Sequence, residues 1–406
     1  MEEKSDEQKG ILGELFQTFF AKHWPVWVGG IILGLLNVFL FMIKSPWGGS
    51  GGYNNWGENI YQAIGFLGLE NVTSTNTSLY GMLNILIILG AFAGALLSKE
   101  FALRIPPIGE LIKGFIGGGL MAIGATMGIG CTIGGFFSGI PALSGGAIFL
   151  TIGLFLGTLV ALKYLFWEME TFPGFSTGKN KTLLAASEKT GAWQKWLGWI
   201  VIIIVFVLAY NYFGNDNIIM SWFIIIGLMM GLICQRSRFC IVASFRDPFM
   251  TGKSSSTVGV IAGLIIGLIG FTAIKIFGIG AGDTALRARE MTWVFPHFWL
   301  RAPIGGFIFG LGMTIAGGCA VGALWRFGEG QVKLWAAVLG FLLISPISKL
   351  FIVPAFVDML PHHLRYKNFM PDYIGYAWSV VIVLAILFIW YVFVKWNERT
   401  GKFSAY

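Results

Sequence analysis

"GATMGIGCTIGG" occupies Gly124–Gly135, and "GMTIAGGCAVGA" occupies Gly312–Ala323. Each sets a cysteine at the end of an apolar, glycine-rich run, in a chain of 406 residues with four cysteines. Aligned without gaps, 117–135 and 305–323 match at Gly117/Gly305, Gly118/Gly306, Gly124/Gly312, Thr126/Thr314, Gly130/Gly318, Cys131/Cys319 and Gly134/Gly322. Glycine is common here, so its matches carry little weight alone; a rare cysteine and a threonine in the same register point to duplication. "GAFAGALLSKEFALR" (90–104) and "GLMMGLICQRSRFC" (227–240) form a weaker second parallel. The chain is read as two halves, 1–190 and 191–406.

Composition gives the class. Hydrophobic residues make up 56% of the chain, charged residues 12%, and mean hydropathy is +0.74. A soluble domain carries about 25% charged residues. Uncharged runs of about 18–20 residues suffice to cross a hydrocarbon core about 30 Å thick. The chain reads as an all-α polytopic membrane protein with spans near 25–43, 81–97, 111–130, 146–164, 196–212, 218–233, 257–279, 303–318, 334–352 and 373–394, giving nine or ten crossings. The N-terminus is polar, and no cleavable signal peptide is evident.

Loop charges orient the spans. Lys99, Arg104, Lys113, Lys179, Lys181, Lys189, Lys195, Arg236, Arg238, Arg246, Lys253, Lys395, Arg399 and Lys402 are assigned to the cytoplasm, with both termini. The segment 44–80, poor in Lys and Arg, reads as an external loop. The span ending at Cys131 then runs outward and the one ending at Cys319 inward. That is the arrangement of inverted repeats, which place a site near the midplane between broken helices. The net charge of +8 fits cytoplasmic Lys/Arg loops and does not by itself select a ligand. No charged soluble segment suggests nucleic-acid binding.

Gly-x-x-x-Gly pairs at Gly30/Gly34, Gly124/Gly128, Gly227/Gly231, Gly263/Gly267 and Gly306/Gly310 suit close helix packing in lipid. The clusters around Cys131 and Cys319 differ. Gly130 and Gly318, followed by "FFSGIPALSGG" and "WRFGEGQ", are poor material for a continuing helix. Irregular backbone at membrane depth is tolerated only inside protein or along a cavity. Cys131 and Cys319 are therefore expected where helices end against a pathway, against the alternative of inert buried thiols. Cys240 lies beside Arg236, Arg238 and Arg246, which attract anions or simply form a positive-inside loop. Cys234 reads as packing. Arg301 and Arg326 flank the span ending at Cys319, either facing an oxyanion or anchoring at the interface. Lys275 is expected to snorkel. His23, His297 and His362–His363 lack metal-ligand spacing with a cysteine, so no zinc, haem or other cofactor is expected.

"QRSRFCIVASFRDPFMTG" (235–252), "AGGCAVGALWRFGEGQVKLW" (316–335) and "MGIGCTIGGFFSGIPALSGGA" (127–147) resemble the YeeE/YedE family of sulfur-compound membrane transporters, its YedE-like branch in particular. The resemblance implies an hourglass-shaped protein of short helices and loops denting toward its centre. It also implies thiosulfate uptake through transient S–H···S contacts with three cysteines, here Cys131, Cys240 and Cys319. Cys234 matches no family element. In the thiosulfate branch the arginine-and-cysteine element stands in the first half; here that position, by the weaker alignment, holds Leu103. The YedE-like branch further implies a link to selenium metabolism and a small cytoplasmic sulfur-carrier (TusA-like) partner.

Three functions follow as expectations. The first is a permease of the cytoplasmic (inner) membrane importing a small sulfur anion, thiosulfate foremost, or a selenium compound such as selenite. The pathway residues are then Cys131, Cys240, Cys319, Gly130, Gly318, Arg236, Arg238, Arg246 and Arg326. The second is a membrane thiol–disulfide oxidoreductase, against which stands the lack of a Cys-x-x-Cys motif. The third is a structural subunit whose glycines only pack helices.

Overall fold

The computed structural model of the protein describes residues 18, 20, 22–128, 130–172, 181–185, 191–280, 298–359, 361 and 368–404. Lys179, Lys189, His297, His362 and His363 lie outside the described residues. Ten segments among those described are long and apolar enough to cross a membrane, and each matches one expected span. The protein is a multi-pass membrane protein.

The first crossing is α1 (Val26–Ile43). The chain then turns back and forms α2 (Ser50–Ile64) before crossing again as α3 (Leu79–Leu97). The Ser78 hydroxyl caps α3 by accepting from the Gly81 amide at 3.2 Å, satisfying an orphan donor of the first turn. A short strand β1 (Leu103–Ile105) leads to α4 (Ile108–Gly128), a π-helical turn (Thr132–Ser138) and the long α5 (Gly145–Thr171). Strand β2 (Lys181–Leu183) pairs antiparallel with β1.

Beyond it come α6 (Gly191–Gly214), α7 (Ile218–Ser237), the short α8 (Ile241–Met250) and α9 (Ser255–Gly280). Then follow α10 (Phe298–Ala316), the short α11 (Ala320–Gly328), α12 (Val332–Ile347), α13 (Val353–Asp358) and α14 (Met370–Thr400). Helices α6 and α14 are the least buried spans, at 17% and 22% of their apolar windows, so they are the peripheral, lipid-facing ones.

The main packing partners come in matching sets. Helix α1 lies along α9 as α7 lies along α3, and α4 lies along α12 as α10 lies along α5. Glycine makes these approaches possible. A Cβ added at Gly30 would stand 1.9 Å from the carbonyl oxygen of Gly259, and one at Gly34 would stand 2.7 Å from that of Gly263. The α4–α10 crossing is reciprocal. A Cβ at Gly117 would meet the Gly312 oxygen at 2.7 Å, and one at Gly312 would meet the Gly117 oxygen at 2.6 Å.

In lipid there is no hydrophobic drive between helices, so such backbone contact is the main source of cohesion. Gly30→Ala is therefore expected to destabilise the protein, although alanine is the better helix former by about 1 kcal/mol. The contrasting variant is Gly214→Ala, where an added Cβ has nothing within 4 Å. Thermal unfolding of the detergent-purified pair should give opposite signs. A Gly30→Ala melting temperature at or above that of the parent would refute the backbone-contact account.

The fold corrects one expectation for a charged residue and one for a loop, and removes one of the two alternatives for Arg301. Segment 44–80 is not simply an external loop: Trp47 and Tyr53 are fully buried, and α2 inserts among α3 and α12. It is too polar to read as a span, and neighbouring helices bury one face of α2. Lys275 does not snorkel. It is buried, its ammonium donates to the Ala142 carbonyl, and it sits 4.8 Å from the Phe369 ring centre. Of the two alternatives for Arg301, the interfacial anchor falls. The residue is buried and donates to the Thr126 carbonyl at 2.8 Å, satisfying an acceptor near the end of α4.

Candidate functional site

The two quoted cysteine frames break their helices in the same way. Helix α4 ends at Gly128 and Gly130 adopts φ +155°, while α10 ends at Ala316 and Gly317 adopts φ +79°. Positive φ costs glycine nothing, so both runs turn sharply just before the cysteine. Cys131 then caps the π-helical turn and Cys319 caps α11, each in extended backbone. The equivalent hydrogen bond follows in both, Gly135 N–H to Cys131 O and Ala323 N–H to Cys319 O, each at 2.7 Å.

Cys240 occupies the same kind of position at the N-terminus of α8. Position 49, a glycine, caps the N-terminus of α2, in helical rather than extended backbone. Four helix starts thus carry Gly49, Cys131, Cys240 and Cys319, and the three cysteines belong to one buried core cluster. A Cβ added at Gly322 would lie 3.3 Å from Cys319 Sγ and 3.5 Å from Cys240 Sγ, so the two thiols flank the same point. A Cβ at Gly49 would lie 3.4 Å from Cys131 Sγ and 3.9 Å from Ala320 Cβ. Cys131, Gly49, Ala320 and Cys319 are therefore near neighbours. All four cysteines are thiols without a disulfide.

Tyr53 on α2 ties the two frames together. Its hydroxyl donates to the Ala320 carbonyl at 2.7 Å, and its ring stacks on Phe341 with centroids 4.2 Å apart. Asn84 holds the Gly49 carbonyl at 2.9 Å, and Asn37 accepts from the Trp47 amide at 2.8 Å. The Ser138 hydroxyl donates to the Trp47 carbonyl at 2.8 Å, joining this turn to the segment after Cys131. Such fully bonded backbone is what irregular chain at membrane depth requires.

The arginines divide. Arg236 is fully buried, with Nη1 3.3 Å from Glu100 Oε2 and Nη2 3.0 Å from His23 Nδ1. Arg238 Nη1 lies 2.7 Å from Glu329 Oε1, and its Nη2 lies 3.2 Å from Glu100 Oε2. Gln235 Nε2 bridges the two carboxylates at 2.9 and 3.0 Å. Two guanidinium groups thus face two carboxylates, which leaves little net field for an arriving anion. Arg246 pairs with its neighbour Asp247 at 2.8 Å.

Arg326 has no carboxylate among the described residues. It donates to the Gly317 carbonyl and lies 4.9 Å from the Trp325 ring centre, beside the turn that leads to Gly318 and Cys319. Leu103 lies in β1 opposite Leu183, away from the cysteines.

Three contributors were not legible as site residues. Glu100 and His23 lie far from Arg236 in sequence, and only the α3–α7 packing brings Glu100 in. Trp47–Tyr53 looked like loop because its burial is supplied by other helices. The tryptophan and glycine content of "SPWGGSGGY" (45–53) was the one available signal, since glycine tolerates turns next to other backbone.

Comparison with known proteins places these features. The sequence profile described as "Sulphur transport" matches residues 2–160 and 236–405. The protein described as "Probable transporter YedE" of Salmonella typhimurium is 28% identical over 349 residues, covering 82% of each chain. Its Escherichia coli counterpart is 28% identical over 345 residues, covering 81% of this chain and 82% of its own. The "Thiosulfate transporter TsuA" of Escherichia coli is 30% identical over 170 residues, covering 42% of this chain and 46% of its own.

Proposed function

The chain belongs to the sulphur transport family, and on that premise we propose that it is a permease importing a small sulfur-containing anion, thiosulfate first, past Cys131, Cys319 and Cys240. The observation that carries this reading is the gathering of three cysteines at helix starts in one buried cluster. A thiol is a weak donor and a soft group, so it meets a terminal sulfur without trapping it. Conduction needs binding strong enough to enter and weak enough to leave. Helix N-termini carry partial positive charge, which offsets part of the anion's dehydration. Gly130 and Gly317, rather than the expected Gly318, supply the turns, and Arg326, held by the Gly317 carbonyl and by no carboxylate among the described residues, adds a guanidinium beside the second turn. In this reading Arg236, Arg238 and Arg246 shape the mouth through their carboxylate partners instead of binding the anion directly.

The same proposal takes the protein as two inverted halves within 1–190 and 191–406, with both termini cytoplasmic. Its support is the reciprocal Gly117–Gly312 contact and the matched packing of α1 on α9 with α7 on α3. Matching α1 with α7, α2 with α8 and α4 with α10 makes Gly49 the counterpart of Cys240, in place of Leu103. Helices α6 and α14 then stand outside the repeat. A small TusA-like sulfur carrier would receive the imported sulfur at the cytoplasmic face.

The test is uptake into vesicles of labelled thiosulfate, sulfite, selenite and sulfide, with binding ranked on the purified protein. Saturable thiosulfate uptake that sulfite does not displace is the expected result. Preference for selenite would move the substrate to the selenium compound, and no uptake of any of the four would refute the permease. The Cys240–Cys319 contact favours one second reading, a thiol–disulfide oxidoreductase. It predicts a Cys240–Cys319 disulfide whose formation tracks turnover.

A further inference from the structure

Helix α5 carries a stripe of side chains that the transport path does not use. Leu156, Val160 and Lys163 follow one another at i, i+4 and i+7, which sets them on one face. At 1.5 Å per residue, Lys163 stands about 10 Å farther along the helix than Leu156. Leu156 and Val160 are half exposed, so this face looks out of the bundle. On a membrane-crossing helix such aliphatic groups meet acyl chains, and a lysine toward the helix end reaches for the headgroups.

The stripe is one wall of a cleft of about 640 Å³. Phe249 at the end of α8, Phe307 of α10 and Phe403 supply further apolar wall, and the polar members are Lys163, Lys402 and Ser404. The C-terminal part of the wall is held in place. Gly401 ends α14 with φ +64°, turning the chain back toward α8. The buried Asn397 side chain then accepts from the Phe403 amide at 2.9 Å and donates to the Pro248 carbonyl at 2.7 Å. Phe393 stands between, with its ring centre 6.0 Å from that of Phe249 and 6.1 Å from that of Phe403.

The charges match this shape. Lys163 and Lys402 are exposed, and neither has a carboxylate partner among the described residues. The acidic residues nearest to them in sequence are committed elsewhere, Glu168 to Lys113 at 2.6 Å and Glu398 to Lys395 at 2.8 Å. Lys402 Nζ lies 5.7 Å from the ring centre of Trp396, and Trp167 is exposed one turn beyond Lys163. Tryptophans at such positions mark the level of the lipid headgroups. An apolar slot that ends at this level in two uncompensated ammonium groups suits a lipid with a negative headgroup.

We propose that this cleft binds an anionic phospholipid, with an acyl chain along Leu156 and Val160 against Phe249 and Phe307, and the headgroup phosphate between Lys163 and Lys402. On the orientation taken above the lipid belongs to the cytoplasmic leaflet. The site itself depends neither on that orientation nor on what the permease carries. Two of its walls belong to elements that position thiols: α8 starts at Cys240, and α10 runs into the turn before Cys319. A seated lipid therefore braces both helices against α5.

The test is thermal unfolding of the delipidated, detergent-purified full chain, titrated with short-chain phosphatidylglycerol or with phosphatidylcholine of the same chain length. Phosphatidylglycerol should raise the melting temperature saturably, and phosphatidylcholine only at far higher concentration. Each lysine at a headgroup is worth about a fivefold change in binding. Lys163→Gln/Lys402→Gln should therefore melt like the parent without lipid and need roughly 30-fold more phosphatidylglycerol for the same shift. Lys99→Gln/Lys253→Gln removes as much charge outside the cleft and should respond like the parent. Val160→Trp keeps both lysines but fills part of the slot, so it should also weaken the response, which a merely basic surface would not do. Equal stabilisation by the two lipids would overturn the site, as would a parent-like response in Lys163→Gln/Lys402→Gln or in Val160→Trp. An equal loss in Lys99→Gln/Lys253→Gln would overturn it too. So would inorganic phosphate reproducing the shift at the same concentrations, since the ligand would then be a free anion.

Discussion

Replacing Cys131 or Cys319 by alanine is expected to reduce thiosulfate uptake roughly 10- to 100-fold while the protein still folds. The magnitude follows from one lost contact to a charged ligand, worth about 1.5–3 kcal/mol when its partner is desolvated. Both cysteines are completely buried, so truncation also removes a sulfur from the core. That packing cost is modest, because cysteine behaves in a core as a small hydrophobe. The double variant separates two mechanisms. Barriers in series are limited by the higher one, so a relay predicts a double variant little worse than the poorer single. If both thiols held the anion at once, the losses would multiply. Cys234→Ala should be silent in uptake, since Cys234 lies within α7 and caps no helix. Parent-like uptake in Cys131→Ala and in Cys319→Ala, with intact folding, would end the relay account.

Glu329→Ala is expected to be the most destabilising single change in the charge cluster, by roughly 3 kcal/mol, the lower part of the range for breaking a buried pair. Glu329 is 1% exposed in its side chain and Arg238 is 37% exposed, so only one partner is fully desolvated. The loss would leave Arg238 and Arg236 sharing Glu100, with Gln235 missing one of its two acceptors. Glu329→Gln keeps the shape and should fall between the parent and Glu329→Ala. Adding Arg238→Met to Glu329→Ala should recover stability, because the penalty comes from a charge left uncompensated. The measurement is thermal unfolding of the purified variants in detergent. A double variant as unstable as the sum of its singles would show that the two residues do not act as a pair.

The spans were legible because lipid imposes a simple rule: every backbone polar group must be bonded within the segment that crosses. That rule writes long apolar runs into the chain, and all ten were readable. Helix α2 obeys a different rule. One face of it is buried by α3 and α12, and it carries Asn54, Asn55 and Glu58 and so resembles loop. Lys275 was misread for the same reason, and the anchor alternative for Arg301 fails with it, since a charged residue near a span end is normally held by water at the interface. Here carbonyl oxygens of neighbouring segments hold both.

The site divided along the same line. Cys131 and Cys319 announced themselves by matching frames, and the resemblance added Cys240. Glu100, His23 and Tyr53 did not, because each acts on a partner far away in the chain. By itself the sequence determined the class, the ten apolar spans, the helix breaks and the cysteines, all of which follow from local hydropathy and from glycine. Only the tertiary structure decided that four helix starts converge and that Arg236 and Arg238 are balanced by carboxylates. Convergence depends on which glycine surfaces meet, and that is a property of pairs of helices rather than of any one stretch of chain.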